Sequence, residues 1–300
     1  MERRIQLTFV ALAITLADIK LISIWQRGGR DHLIQIYYMK FLVFMMGCLP
    51  LFASCRKDSI KADRVQTFTI NSTINGGVYD IKIVLPQNYQ PAKKYATLYV
   101  LDPKWDLDFV ASECDKQAAT HQKDGVLVIG IGWGHDRVHD YAPVPLRGGK
   151  GGADLFARFI EEELVPKIEK DYAAATERQQ RGIIGHSAGG LFVAHCFVSH
   201  NELFGHYMAL SPSLWVGDQV VLINEKERRT ENKAGSGSFF LAVGELEQEI
   251  MQPPIALFQK TLNDYYPHYT QQFQIARGLD HMGSKNSTIP KALTFYFQQL

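Results

Sequence analysis

From residue 65 onward, short apolar runs alternate with longer segments of helical period, the arrangement expected of an α/β fold with a largely parallel sheet and helices on both faces. The runs predict eight strands: Gln66 to Ile70, Val78 to Leu85, Ala96 to Leu101, Val126 to Gly132, Gly182 to Gly185, Tyr207 to Leu210, Phe239 to Val243 and Gln271 to Ala276. Asn75-Gly76-Gly77 between the first two predicts an antiparallel hairpin. The clearest helix is Ala153 to Tyr172, with Leu155, Phe156, Phe159, Ile160, Leu164 and Ile168 on one apolar stripe. Glu161 to Glu163 is then its solvated face. The Gly-rich stretch Arg147 to Gly152 lacks the Gly-Lys-Ser/Thr ending of a phosphate loop and reads as a connection.

The first 54 residues follow a different pattern. Residues 39–54 carry one Lys, then an apolar run, then small residues before Cys55, the layout of a secretory signal. The run is shorter than the ~20 apolar residues that span a bilayer. Phe52-Ala53-Ser54-Cys55 resembles a bacterial lipobox, with Phe52 where Leu is more usual. The expected organisation is an upstream extension over 1–38 preceding a start at Met39, a lipoprotein-type signal over 39–54, a tether over 55–64 and a catalytic domain over 65–300. A rival reading takes Leu7 to Leu16 as the apolar segment of a signal beginning at Met1. Acylated Cys55 would place the protein in a bacterial cell envelope, anchored to a membrane surface.

Charge and composition narrow the function. The chain of 300 residues has 32 Lys plus Arg against 31 Asp plus Glu and is 46% hydrophobic, so it can build a large core and lacks the basic excess of a nucleic-acid binder. Removing residues 1–54 takes away six basic and three acidic side chains, leaving 26 against 28. Four cysteines without a C-x-x-C pair offer neither a zinc ribbon nor a disulfide framework, and Cys114 and Cys196 are expected on helices covering opposite faces of the sheet.

The chemistry is carried by Gly185-His186-Ser187-Ala188-Gly189, a Gly-x-Ser-x-Gly between an apolar strand and a buried helix. A serine hydroxyl needs an exposed position beside a base to act as a nucleophile, and the flanking glycines permit the sharp turn. The acid and the base should follow at the carboxyl ends of later strands. The strand ending at Gly244 runs into Glu245, Glu247 and Glu249. Of the two histidines beyond it, His268 precedes the last strand and His281 follows it, which selects His281 as the base. The expected chemistry is proton abstraction from Ser187 by an imidazole that a carboxylate orients.

Gly185 to Phe192, Ala209-Leu-Ser-Pro-Ser-Leu-Trp215, Val243-Gly-Glu-Leu-Glu247 and the closing His281-Met-Gly283 together resemble the esterase D-like branch of the α/β-hydrolases, the group that includes enterochelin-type siderophore esterases. The resemblance covers roughly Thr67 to Leu300. It implies an α/β-hydrolase fold and a serine esterase without cofactor or metal, acting on a small-molecule or glycan-linked ester. It selects Glu247 as the acid, with Glu245 as runner-up and Glu249 at the surface. Tyr141-Ala-Pro143 also matches the pattern and makes Tyr141 a substrate-binding candidate.

The chain departs from its relatives after the third strand, where Pro103 has no N–H to give an oxyanion hole. The second donor is then Lys104 or Trp105, with Ala188 the first. Trp105 and Trp215 are candidate apolar walls for an acyl or aryl group, with core packing the equal alternative. His135-Asp136-x-x-His139-Asp140 has ligand-like residues, but its flanking Gly and Pro argue against a helix aligning the two histidines, so it is expected to line the cleft. His186 is expected to point away from Ser187, with steric packing as its default role. Acyl transfer or thioester cleavage would use the same triad, and a non-catalytic binding lipoprotein is the rival that Pro103 suggests.

Overall fold

The computed structural model describes residues 60–145 and 151–300. The signal and lipobox readings, Cys55 and the first part of the Gly-rich stretch lie outside the described residues.

All eight predicted strands form, and they make one sheet in the order β1-β2-β4-β3-β5-β6-β7-β8. They are β1 (Val65–Asn71), β2 (Val78–Val84), β3 (Ala96–Leu101), β4 (Val126–Ile131), β5 (Arg181–His186), β6 (His206–Leu210), β7 (Gly237–Gly244) and β8 (Tyr269–Ala276). β1 and β2 form the expected hairpin, β2 is antiparallel to β4, and the remaining pairs are parallel. Every residue of β3, β4 and β6 is buried, whereas the edge strand β1 has only half-buried and exposed positions and β8 mixes buried with exposed ones. That contrast explains the sequence pattern, because a strand covered on both faces must be apolar throughout.

Among the described residues the α-helices are α1 (Pro103–His121), α2 (Arg137–Tyr141), α3 (Ala153–Phe159), α4 (Val165–Asp171), α5 (Ala188–Ser199), α6 (Val216–Asn232), α7 (Gln252–Tyr265) and α8 (His281–Gln299). Alternate residues of each inner strand feed two cores. Tyr99 and Leu101 join Phe156, Phe192, Phe197 and Phe258 on one face, while Leu98 and Val100 join Val110, Leu293 and Tyr296 on the other. Cys196 belongs to the first core and Cys114 to the second, and both are free thiols, as expected. This is the α/β-hydrolase arrangement that the resemblance implies.

Two details of the long predicted helix are corrected. It is α3 and α4 joined by a wide π turn over Ile160–Leu164. Pro166 follows that turn and cannot donate a backbone hydrogen bond into it. Leu155, placed on the apolar stripe, is exposed. Glu163, placed on the solvated face, accepts hydrogen bonds from the Thr73 N–H at 2.8 Å and the Thr73 hydroxyl at 2.5 Å, tying this helix to the β1–β2 connection.

Candidate active site

Ser187 occupies the sharp turn between β5 and α5, with φ 61° and ψ −118°, a conformation that non-glycine residues avoid. Two backbone bonds hold it there: the Ser187 N–H donates to the Leu210 carbonyl at 2.9 Å, and its carbonyl accepts from the Ser213 N–H at 3.1 Å. The turn is tight because Gly185 and Gly189 touch. A Cβ on Gly185 would lie 2.5 Å from the Gly189 carbonyl carbon, so the motif needs glycine for close approach.

The partners arrive from the carboxyl ends of β7 and β8, the last two parallel strands. Asp280 caps α8, its side chain accepting the Gly283 N–H at 2.8 Å, and thereby sets His281 at the first helical position. The His281 Nδ1–H donates to Glu247 Oε2 at 2.8 Å. The opposite ring nitrogen, Nε2, is then a free acceptor for the Ser187 hydroxyl at 2.9 Å. The Glu247 side chain is completely shielded from solvent. Burial opposes its ionisation, but hydrogen bonds from His281, Ser211 and the Gly244 N–H outweigh that and hold the carboxyl below its usual range.

Glu245, the runner-up, does a different job. Its Oε2 accepts the Gly278 N–H at 2.7 Å, clipping the turn after β8. Glu249 is exposed, and so is His268 at the amino end of β8.

Three residues hold His281 from behind. The His281 carbonyl accepts from His186 Nε2–H at 2.9 Å and from the Ser284 hydroxyl at 3.0 Å, and Ser284 in turn meets Ser211 at 3.1 Å. Burial pushes the His186 imidazole down to about 3, so it is neutral. Beyond packing beside His281, at 4.6 Å between ring centroids, His186 fixes the backbone of the base.

On the other side of Ser187, Asp102 closes β3 with a left-handed φ of 56° and caps α1, whose first residue is Pro103. The Trp105 N–H donates to the Asp102 carbonyl at 3.0 Å. Of the two candidate second donors, Trp105 is thereby occupied. Among the described residues neither the Lys104 N–H nor the Ala188 N–H has a protein acceptor, as expected at the first turn of a helix. The two helix starts are close: a Cβ on Gly189 would lie 3.3 Å from Asp102 Oδ2.

Asp102 is itself held by a set of residues that the sequence reading missed. Arg137 grips its carboxylate with two bonds, Nε to Oδ1 at 2.8 Å and Nη2 to Oδ2 at 2.7 Å, and Nη2 also donates to the His186 carbonyl at 3.2 Å. Trp133 Nε1–H donates to Asp102 Oδ1 at 3.0 Å. The Asp102 N–H donates to the Tyr141 hydroxyl at 3.0 Å. Tyr141 is completely buried, which corrects its placement as a substrate-binding residue. A buried Asp directly before a helix-starting Pro was the available signal for this arrangement; Arg137 gave none, lying inside the tract read as a cleft lining.

Trp105 and Trp215 are exposed rather than core, at 55% and 38%. Leu246 and Met282, the neighbours of Glu247 and His281, are exposed as well. No helix spans His135 and His139, as expected, since α2 begins at Arg137 after an extended Asp136. Asp136 caps α2 by accepting the Val138 and His139 N–H groups, each at 2.9 Å, and across this turn the His135 ring still meets the His139 ring at 4.6 Å between centroids.

The comparisons with known proteins give the family. Residues 72–286 match the family described as Putative esterase. The ferri-bacillibactin esterase BesA of Bacillus subtilis is 32% identical over 200 residues, covering 57% of this chain and 66% of that protein. The apo-salmochelin esterase of Escherichia coli is 28% identical over 229 residues, covering 65% of this chain and 68% of that one. The chain thus spans about two thirds of the length of these curated relatives. The crystal structure of the BES protein from Bacillus cereus superposes with a TM-score of 0.70 at 26% identity, covering 79% of this chain and 97% of that one. Matched over most of its length, the chain belongs to this esterase family of the α/β-hydrolases.

Proposed function

We propose that the protein is a serine hydrolase that cleaves carboxylic esters through an acyl-enzyme on Ser187. The carrying observation is the continuous line of hydrogen bonds from the Ser187 hydroxyl through His281 to the buried Glu247, at 2.9 and 2.8 Å. As Ser187 Oγ attacks the ester carbonyl carbon, its proton passes to His281 Nε2, and Glu247 stabilises the imidazolium that forms. Backbone N–H groups of Ala188 and Lys104 receive the charge on the carbonyl oxygen. The ester C–O bond then breaks, and the departing alcohol takes the proton from Nε2. Water attacks the acyl-enzyme by the same route and frees the acid.

The siderophore esterases among its relatives support a siderophore ester as the substrate class. The exposed tryptophans beside the site suit an aryl-bearing acyl group. The lipobox-like Cys55 supports a lipid-anchored envelope protein. Mass spectrometry of natively made protein would test this anchor, which requires a diacylglyceryl group on Cys55.

The test of the chemistry is hydrolysis of p-nitrophenyl butyrate by the wild type and by Ser187→Ala. Equal rates would leave a non-catalytic binding protein. A panel of siderophore esters tests the substrate class separately: cleavage of the nitrophenyl ester but of no siderophore would retain the mechanism and remove that substrate.

A further inference from the structure

His135 and His139 are each pinned at one ring nitrogen only. His135 Nε2 lies 3.1 Å from the Asn75 carbonyl, which can only accept, so this nitrogen carries the proton. His139 Nδ1 lies 3.1 Å from Asp140 Oδ1 and donates in the same way. Asp140 is completely buried, and its other oxygen accepts the Gly134 N–H at 2.8 Å, so the carboxylate is fixed. His139 is seated as firmly. A Cβ on Gly152 would lie 2.5 Å from its Cε1, so the ring packs against bare backbone. What remains are two imidazole nitrogens, Nδ1 of His135 and Nε2 of His139, that carry lone pairs and have no protein partner among the described residues.

This is the outer-shell pattern of a metal-binding histidine, in which an oxygen acceptor fixes the tautomer and the orientation of the ring. The His135 and His139 rings stand 4.6 Å apart between centroids, and ligand-type atoms of these two residues and Asp140 cluster within 4.8 Å. Zinc–nitrogen bonds of about 2.0–2.1 Å require their two nitrogens to stand roughly 3.3 Å apart. His135 is exposed and can make such an adjustment.

We propose that His135 and His139 hold a divalent transition-metal ion, with Asp140 orienting His139 and water completing the coordination. Imidazole donors select zinc, nickel, cobalt or copper over magnesium or calcium. The ion would tie His135, which is hydrogen-bonded to the β1–β2 connection at Asn75, to His139 on α2, the helix whose Arg137 clamps Asp102, and so would brace the oxyanion side of the site without entering the reaction. The second histidine group, Asp154 with His195 and His200, is less suited. Its nitrogens Nε2 of His195 and Nε2 of His200 both contact Asp154 Oδ1, at 2.9 and 3.2 Å. Metal ligation there would move a proton to His195 Nδ1, which is buried without a partner.

The test is titration of the chelator-treated full chain with Co2+, read by visible d–d absorption and by the zinc-induced change in melting temperature. The expected result is one Co2+ per chain, displaced by Zn2+, with Zn2+ and not Mg2+ raising the melting temperature. His135→Gln and His139→Gln should abolish both signals, the metal-free melting temperature staying near wild type in His135→Gln and falling in His139→Gln, which loses the bond to buried Asp140, and Asp140→Asn should weaken binding about 10–100-fold. His200→Gln should leave both signals unchanged. The proposal is overturned if the wild type gives neither signal, if His135→Gln and His139→Gln bind as tightly as wild type, or if His200→Gln alone abolishes binding.

Discussion

β3 and β5 lie side by side, and each runs straight into a helix through a residue of positive φ, Asp102 in one case and Ser187 in the other. The two helix starts lie close together, a Cβ on Gly189 falling 3.3 Å from Asp102 Oδ2. They are held by different means. The Ser187 turn is fixed by backbone against backbone, through Gly185 and Gly189 and the bonds to Leu210 and Ser213. The Asp102 turn is fixed by side chains from elsewhere in the chain: Arg137, Trp133 and Tyr141, all 31 to 39 residues away. The nucleophile's turn is therefore held by backbone packing and backbone hydrogen bonds, while the oxyanion side is held by side-chain charge and hydrogen bonds.

The strongest way to break this comparison is at the nucleophile. Ser187→Ala should lower kcat for p-nitrophenyl butyrate by about 10⁶-fold, and the fold should persist by circular dichroism because the strained turn is held by backbone. Next is the acid. Glu247→Gln should cost about 10⁴-fold in kcat, since the amide favours the wrong imidazole tautomer. Glu245→Gln should leave turnover close to wild type while lowering thermal stability, because it loses only the charge on the Gly278 clip. Equal losses from the two would contradict the assignment of Glu247.

Arg137→Ala addresses the other turn. It leaves the nearly inaccessible Asp102 carboxylate without its counter-charge, and breaking a buried pair of this kind costs about 3–5 kcal/mol. Denaturant unfolding would measure that loss, and kcat should fall more than KM rises because Lys104 is re-aimed. Unchanged stability would mean that the clamp is not what holds Asp102.

The smallest effect concerns pH. Burial holds the His186 imidazole down to about 3, against about 6.5 in the unfolded chain. Protonation of the unfolded state below pH 6.5 draws the protein toward unfolding, so this contribution is whole above about 6.5 and is lost as pH falls toward 3. Between pH 7 and pH 5 the loss should be about 2 kcal/mol, and His186→Gln should remove it from the measured slope.

The same contrast explains what the sequence could tell. Strands β3, β4 and β6 were legible because a buried parallel strand must be apolar at every position. Ser187 was legible because the steric demand of its turn is written in adjacent glycines. His281 followed from strand order alone. Glu247 came from the resemblance, since nothing local separates it from Glu245; burial separates them, and burial depends on how the ends of β7 and β8 are stitched together. Arg137, Trp133 and the support that His186 gives to His281 were not legible, because each acts on a residue far along the chain. Tyr141 was misassigned for the same reason, its hydroxyl being taken up by a buried backbone N–H.

The central claim is that His281 activates Ser187 as a nucleophile. Exposure to diisopropyl fluorophosphate, followed by peptide mass mapping, tests it most directly. The account predicts a single phosphoryl adduct on Ser187, formed far more slowly in His281→Ala; an adduct on another residue, or labelling at an undiminished rate without His281, would contradict it.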